Sequence, residues 1–239
     1  GLDEICVTDH VDTVLWGSHQ PRDSFDWSRL LRELPEAREK YADRLTIRLG
    51  AELGEAPMGF ARAEKLLSQA PALDFVIGSV HMAGEKYQHF DLYYIEKNSE
   101  TYYHSVIDSY LEDVLRLARW GRFSVLGHLT LPLRYLNENL GEHVTFDDHY
   151  DQCREIFRTL IENGCGIECN TNRGNTPLPD APLLRLYRQQ GGEIITLGSD
   201  AHSAEYVGCC IRERQELLRE CGFRYFCTFE GGKPTFRKL

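Results

Sequence analysis

The chain has 239 residues, enough for one large domain or two small ones. Its 42% hydrophobic and 27% charged residues are those of an ordinary globular protein, with no apolar run long enough to cross a bilayer and no basic-apolar leader. A formal net charge of −10 disfavours long nucleic acid as a partner, because backbone binding relies on clustered Lys and Arg; a small phosphorylated substrate in a locally cationic pocket stays open. The eight Cys are scattered without a CxxC pair and read as reduced thiols of a cytoplasmic protein. The adjacent Cys209 and Cys210 read as packing residues near a helix start, with a vicinal disulfide as the lesser alternative.

In chain order, short apolar and β-branched runs recur at 4–10 (EICVTDH), 45–53 (LTIRLGAEL), 74–81 (DFVIGSVH), 123–128 (FSVLGH), 165–171 (CGIECNT) and 193–202 (EIITLGSDAH). Segments with helical spacing separate most of them. DWSRLLRELPEAREKYADR is irregular, and Pro35 is expected to kink or restart its helix. SYLEDVLRLARWG places Tyr110, Val114, Leu115 and Ala118 on one face and stops at Gly121. TFDDHYDQCREIFRTLIENG opens with Thr145 as cap, carries Ile156, Leu160 and Ile161, and ends at Gly164. Such alternation predicts an α/β fold with a parallel sheet, as one domain over 1–239. An open dinucleotide-binding sheet would carry GxGxxG, and neither that motif, a GxxxxGK[ST] loop nor a GxSxG elbow occurs.

Polar residues collect at the ends of the predicted strands: Asp9 and His10, Glu52, His81, His128, Glu168 and Asn170, then Asp200 and His202. A (β/α) barrel assembles its catalytic groups there, since its strands converge at that mouth. Taken singly, any one of these His reads first as a structural residue; four at one end of a sheet, with carboxylates, read as metal ligands. Nitrogen and oxygen donors without thiolate suit Zn, Mn or Fe. Alternation in CGIECNT puts Cys165, Ile167 and Cys169 under the helices and turns Glu168 and Asn170 to the mouth. Asp200 and His202 share a parity and can point at one cluster. His19, His89, His104, His143 and His149 read as solvated or locally bonded. Arg173, in the turn-rich loop NTNRGNTPLPD, is a candidate for bidentate contact with phosphate, weighed evenly against a solvated loop arginine.

TDHVD, GAELG, GSVH, GHL, IECNTN and GSDAH, in that order and across nearly the whole chain, resemble the PHP family (polymerase and histidinol phosphatase) and within it the histidinol-phosphate phosphatases. The resemblance implies a distorted (β/α) barrel of about seven strands and a cluster of two or three divalent metal ions that hydrolyses phosphomonoesters. Glu52 would bridge two metals, and His81 and His128 would hold one of them. Asp200 would bind the other and, as a further expectation, shuttle a proton; His10 and His202 would bind a third. Arg173 would receive the substrate phosphate. The alternatives are another PHP phosphoesterase acting on nucleotides, or a non-catalytic metal-binding remnant; a homo-oligomer stays open. Two departures stand out. The family begins with an HxH strand and a further His, whereas GLDEICVTDH opens at the end of a helix, so the barrel is expected to lack its first strand here, with that segment upstream of Gly1 or supplied by another chain. Thr130 stands where the branch carries an acidic residue, and its loss would weaken the orientation of His128.

Overall fold

The computed structural model describes residues 1–239. Six strands lie in sequential order in one parallel sheet: β1 (Glu4–Val7), β2 (Thr46–Gly54), β3 (Phe75–Ser79), β4 (Val125–Leu126), β5 (Gly166–Asn170) and β6 (Ile195–Gly198). Parallel neighbours need crossover connections, supplied here by α1 (Ser28–Lys40), α2 (Phe60–Ser68), α3 (Glu100–Trp120), α5 (Tyr150–Glu162) and α6 (Ala181–Gln189). A short α4 (Leu131–Leu133) after β4 runs into a π-helical turn, Arg134–Asn139, and α7 (Ile211–Glu220) follows β6. The sheet curls as a half-barrel whose edge strands are β1 and β6. Each of the six predicted runs coincides with one of its strands, β2 continuing one residue past its run to Gly54. No helix is long and apolar enough to cross a membrane.

The curl separates two packing faces. Outward residues such as Leu49, Ala51, Leu53, Ile167, Cys169 and Ile195 belong to a cluster of 43 buried residues that packs sheet against helices. Phe157 of α5 and Tyr187 of α6 meet edge-on within that layer, ring centres 5.2 Å apart. Inside the curl, Phe75, Ile77 and Val125 pack with Cys227 and Phe229. These two belong to a hairpin absent from the sequence reading, β7 (Tyr225–Glu230) and β8 (Lys233–Lys238). Gly231 and Gly232 form its turn at φ +54° and +74°, a conformation that fits the twist of a two-residue hairpin. The hairpin thus fills the amino-terminal end of the barrel interior, and the carboxyl ends of the strands remain for polar side chains.

Two local expectations need correction. Pro35 does not interrupt α1, which runs from Ser28 to Lys40 through it. Proline removes a single donor, and Leu30, Leu34, Ala37 and Tyr41 still pack one stripe against the core. Thr145 does not cap the α-helix: its hydroxyl accepts from the Asp147 N–H at 3.4 Å, in front of a 3₁₀ turn at Asp147–His149, and α5 begins after it. The stops were read correctly. Gly121 closes α3 at φ +63°, its N–H on the Leu117 carbonyl, and Gly164 sits just beyond α5 at φ +71°.

Candidate metal centre

The inward parity of each strand leads to the barrel mouth. On β3, Phe75 and Ile77 face the interior and the same alternation brings Ser79 and then His81 to the rim. On β2 it brings Glu52, which β-bridges to His10 beyond β1. The buried Glu52 carboxylate is the centre of the arrangement. Its Oε1 lies 3.1 Å from His81 Nε2 and 3.1 Å from His128 Nε2, and its Oε2 lies 3.7 Å from His10 Nε2. The donor atoms of His10, Glu52 and His81 all fall within 4.8 Å of one another, a spacing that could hold one ion.

The far nitrogen of His81 decides how this cluster can work. Nδ1 lies 3.0 Å from the Glu55 carboxylate, which also accepts the His81 backbone N–H at 2.7 Å. A neutral His81 that donates from Nδ1 directs the lone pair of Nε2 at a carboxylate oxygen, and two lone pairs repel. Either a second proton or a cation must lie between them. In the metal-free protein the proton takes that place: burial disfavours a charged His81, but Glu52 and Glu55 outweigh it and hold the imidazole well above its usual range. Burial likewise opposes the charge on Glu52, and His128 and His81 pull its carboxyl well below the usual value. Carboxylate to imidazole to shared carboxylate is the orienting pattern of metal-ligating histidines, so the donor set fits a divalent ion.

The remaining predicted residues take distinct places. Glu168 and Asn170 face inward, and Glu168 accepts the His128 backbone N–H at 3.0 Å. Burial pushes the Glu168 carboxyl up, with His128 offsetting part of that. Gly198, which pairs with Asn170 on the neighbouring strand, leaves room for this carboxylate where it stands: a Cβ there would come within 1.8 Å of Glu168 Oε1. Asp200, at φ +48°, does not reach the Glu52 group directly: it pairs with Arg134 Nη1 at 2.8 Å. Burial raises its carboxyl, but His128 and Arg134 hold it below the usual value. His202 is solvent-exposed on the rim, its ring centre 5.8 Å from that of His10. Asp9 points to solvent. Arg173 is exposed at φ +55°, its guanidinium over the Tyr206 ring at 5.2 Å.

Several site residues escaped the sequence reading. Alternation along β2 sends Glu55 away from the mouth, but its left-handed backbone (φ +57°) turns it back onto His81. Asp12 receives the Trp16 indole N–H at 3.0 Å and lies 3.5 Å from His10 Nδ1, so Trp16 stands as an aromatic wall 5.2 Å from the His81 ring. Arg134 donates to Asn172 Oδ1 at 2.8 Å and Asn170 Oδ1 at 3.2 Å as well as to Asp200. Its signal in the sequence is a cation six residues after His128, in a segment that forms a π-turn, a device common at functional sites. Thr130 Oγ1 and His128 Nδ1 are both buried without a partner.

Curled parallel sheet, plugged base and a His/carboxylate centre at the strand ends define a (β/α)-barrel protein with a metal-type site at its mouth. More particularly, the chain belongs to the PHP family, whose PHP-domain model matches residues 1–172. The histidinol-phosphatase of Lactococcus lactis subsp. lactis is 28% identical over 238 residues, spanning 98% of this chain and 85% of the relative. The probable histidinol-phosphatase of Thermotoga maritima is 31% identical over 133 residues, 54% of each. Among solved structures, the L. lactis histidinol phosphate phosphatase, complexed with zinc, L-histidinol and phosphate, superposes with a TM-score of 0.78 at 24% identity, over 98% of this chain and 88% of that one. That likeness supports the barrel expected from the motifs.

Proposed function

We propose that this chain is a metal-dependent phosphomonoester hydrolase that converts L-histidinol phosphate and water to L-histidinol and phosphate. The observation that carries the reading is the buried Glu52 carboxylate with three imidazoles converging on it, one of them already oriented by Glu55. His10, Glu52, His81 and His128 would hold divalent ions, zinc, manganese or iron, and Asp200 and His202 at the rim would complete a cluster of two or three. Such ions supply Lewis-acid activation of the attacking water and neutralise phosphoryl charge. The protein's own residues do the rest. Arg134 and Arg173 offer planar guanidinium donors to the phosphate oxygens. Ionised Asp200 accepts the proton of the attacking water and returns it to the departing alkoxide as the ester P–O bond breaks. Glu55 holds the His81 tautomer, and Trp16 shields the imidazoles of His10 and His81 from bulk water on one side. The histidinol-phosphatase relatives support this substrate over others in the class.

A panel of phosphomonoesters tests the substrate. The zinc- or manganese-loaded protein is expected to hydrolyse L-histidinol phosphate with a kcat/KM at least tenfold above nucleoside monophosphates, because a site that pairs a substrate's polar groups rejects analogues lacking them. Equal or reversed preference would move the assignment to a nucleotide phosphoesterase, and no hydrolysis with a full metal complement would leave a binding remnant. Arg173→Ala should raise KM about tenfold with metal content unchanged, since a guanidinium donates to phosphate but does not ligate. Loss of metal with KM intact would instead make Arg173 a loop-structuring residue.

A further inference from the structure

Cys209 and Cys210 lie at the end of the segment that joins β6 to α7, in contact with the Arg173 loop. Both are half-buried free thiols, and Cys209 Sγ donates to Cys210 Sγ at 3.4 Å. Cys210 stands at the amino end of α7 with φ +56°, a left-handed conformation costly to a residue with a Cβ. Its sulfur lies only 3.0 Å from where a Cβ on Gly174 would sit, so it rests directly on the backbone after Arg173. Two further contacts tie the segment to that loop. Arg214, in the first turns of α7, donates to the carbonyls of Thr171 and Asn175, and the Tyr206 ring carries the Arg173 guanidinium. On the other side, the Gly208 N–H donates to Ser199 beside Asp200.

We propose that Cys209 and Cys210 are an oxidisable vicinal dithiol whose closure to a disulfide by a peroxide loosens the Arg173 loop. One thiol sulfur attacks hydrogen peroxide, an S–O bond forms as O–O breaks, and one water leaves. The second sulfur then displaces the sulfenic oxygen, S–S forms as S–O breaks, and the oxygen departs with the thiol proton as a second water; the pair loses two electrons and the peroxide gains them. Closure brings the sulfurs from 3.4 Å to about 2.0 Å within an eight-membered ring, which reshapes the 209–210 backbone that starts α7 and positions Arg214 and shifts the Cys210 sulfur from its seat on Gly174. A small ring spanning one peptide bond stores strain, which favours reduction by a dithiol and makes the change reversible. The consequence for substrate rests on the reading of Arg173 as a phosphate-binding residue; the chemistry and the loop response do not.

The metal-loaded full chain is treated with stoichiometric hydrogen peroxide, then with dithiothreitol. The tryptic peptide 189–212 contains these two Cys and no other, so ring closure reads as its loss of two hydrogens, restored by the reductant. Faster amide exchange across 171–177 and a several-fold higher KM for the phosphomonoester at unchanged kcat are expected with it. Cys209→Ser and Cys210→Ala should show none of these changes. Sulfinic or sulfonic acid on either residue in place of the ring, or ring closure with unchanged exchange, overturns the proposal. Altered exchange in an active enzyme with unaltered KM overturns its effect on substrate binding. If the reduced protein hydrolyses no phosphomonoester, the hydrolase reading fails separately, and mass and exchange still decide the dithiol.

Discussion

Glu52→Gln should remove most of the bound metal and lower kcat/KM by at least about 100-fold. Loss of a single orienting partner behind a ligand typically costs 10–100-fold in metal affinity or activity, and Glu52 faces His10, His81 and His128 together. The amide preserves shape but halves the acceptor capacity and removes the charge. In the metal-free protein the same change leaves a protonated His81 with only Glu55 as its counter-charge, and breaking a buried pair in this way destabilises by about 3–5 kcal/mol. Elemental analysis, turnover and thermal unfolding of metal-free samples separate the two effects. Full metal content and full activity in Glu52→Gln would mean that the cluster is a structural ion-pair network.

Arg134→Lys should be nearly as damaging as Arg134→Ala, with each retaining less than about a tenth of the wild-type kcat/KM. The side chain reaches Asn170, Asn172 and Asp200 at once through its planar fork, and an ammonium group has one point of charge to offer. In Arg134→Ala the Asp200 carboxyl loses one of the two charges that hold it below its usual value. Its ionised fraction on mild acidification should therefore fall sooner, and the acidic limb of the kcat/KM profile should move to higher pH. A variant with wild-type KM, kcat and pH profile would show that Arg134 only braces the π-turn.

The sequence shows the positions of the six parallel strands because each is a local apolar run, and alternation within CGIECNT assigns Cys165, Ile167 and Cys169 to the packed layer and Glu168 to the mouth from five neighbouring letters. His10, Glu52, His81 and His128 were legible for the same reason, as polar ends of apolar runs. Arg134 and Glu55 were not, since a π-turn and a left-handed residue break the periodicity that makes parity readable. The hairpin β7–β8 was passed over although its Gly-Gly turn is a local signal. His149 read as solvated or locally bonded; the fold buries it between α3 and α5, where Asp108 and His104 bond it at 3.0 and 2.9 Å.

Local chemistry, then, determined which residues form strands, which face each presents, and that nitrogen and oxygen donors collect at one end. Distances were decided by the tertiary structure alone. Glu52 meets His128 across 76 residues and Asp200 meets Arg134 across 66, through the curl of the sheet and the turn that follows β4. Periodicity carries information over a few residues; which carboxylate stands 3 Å from which imidazole depends on how six strands close around a plugged interior.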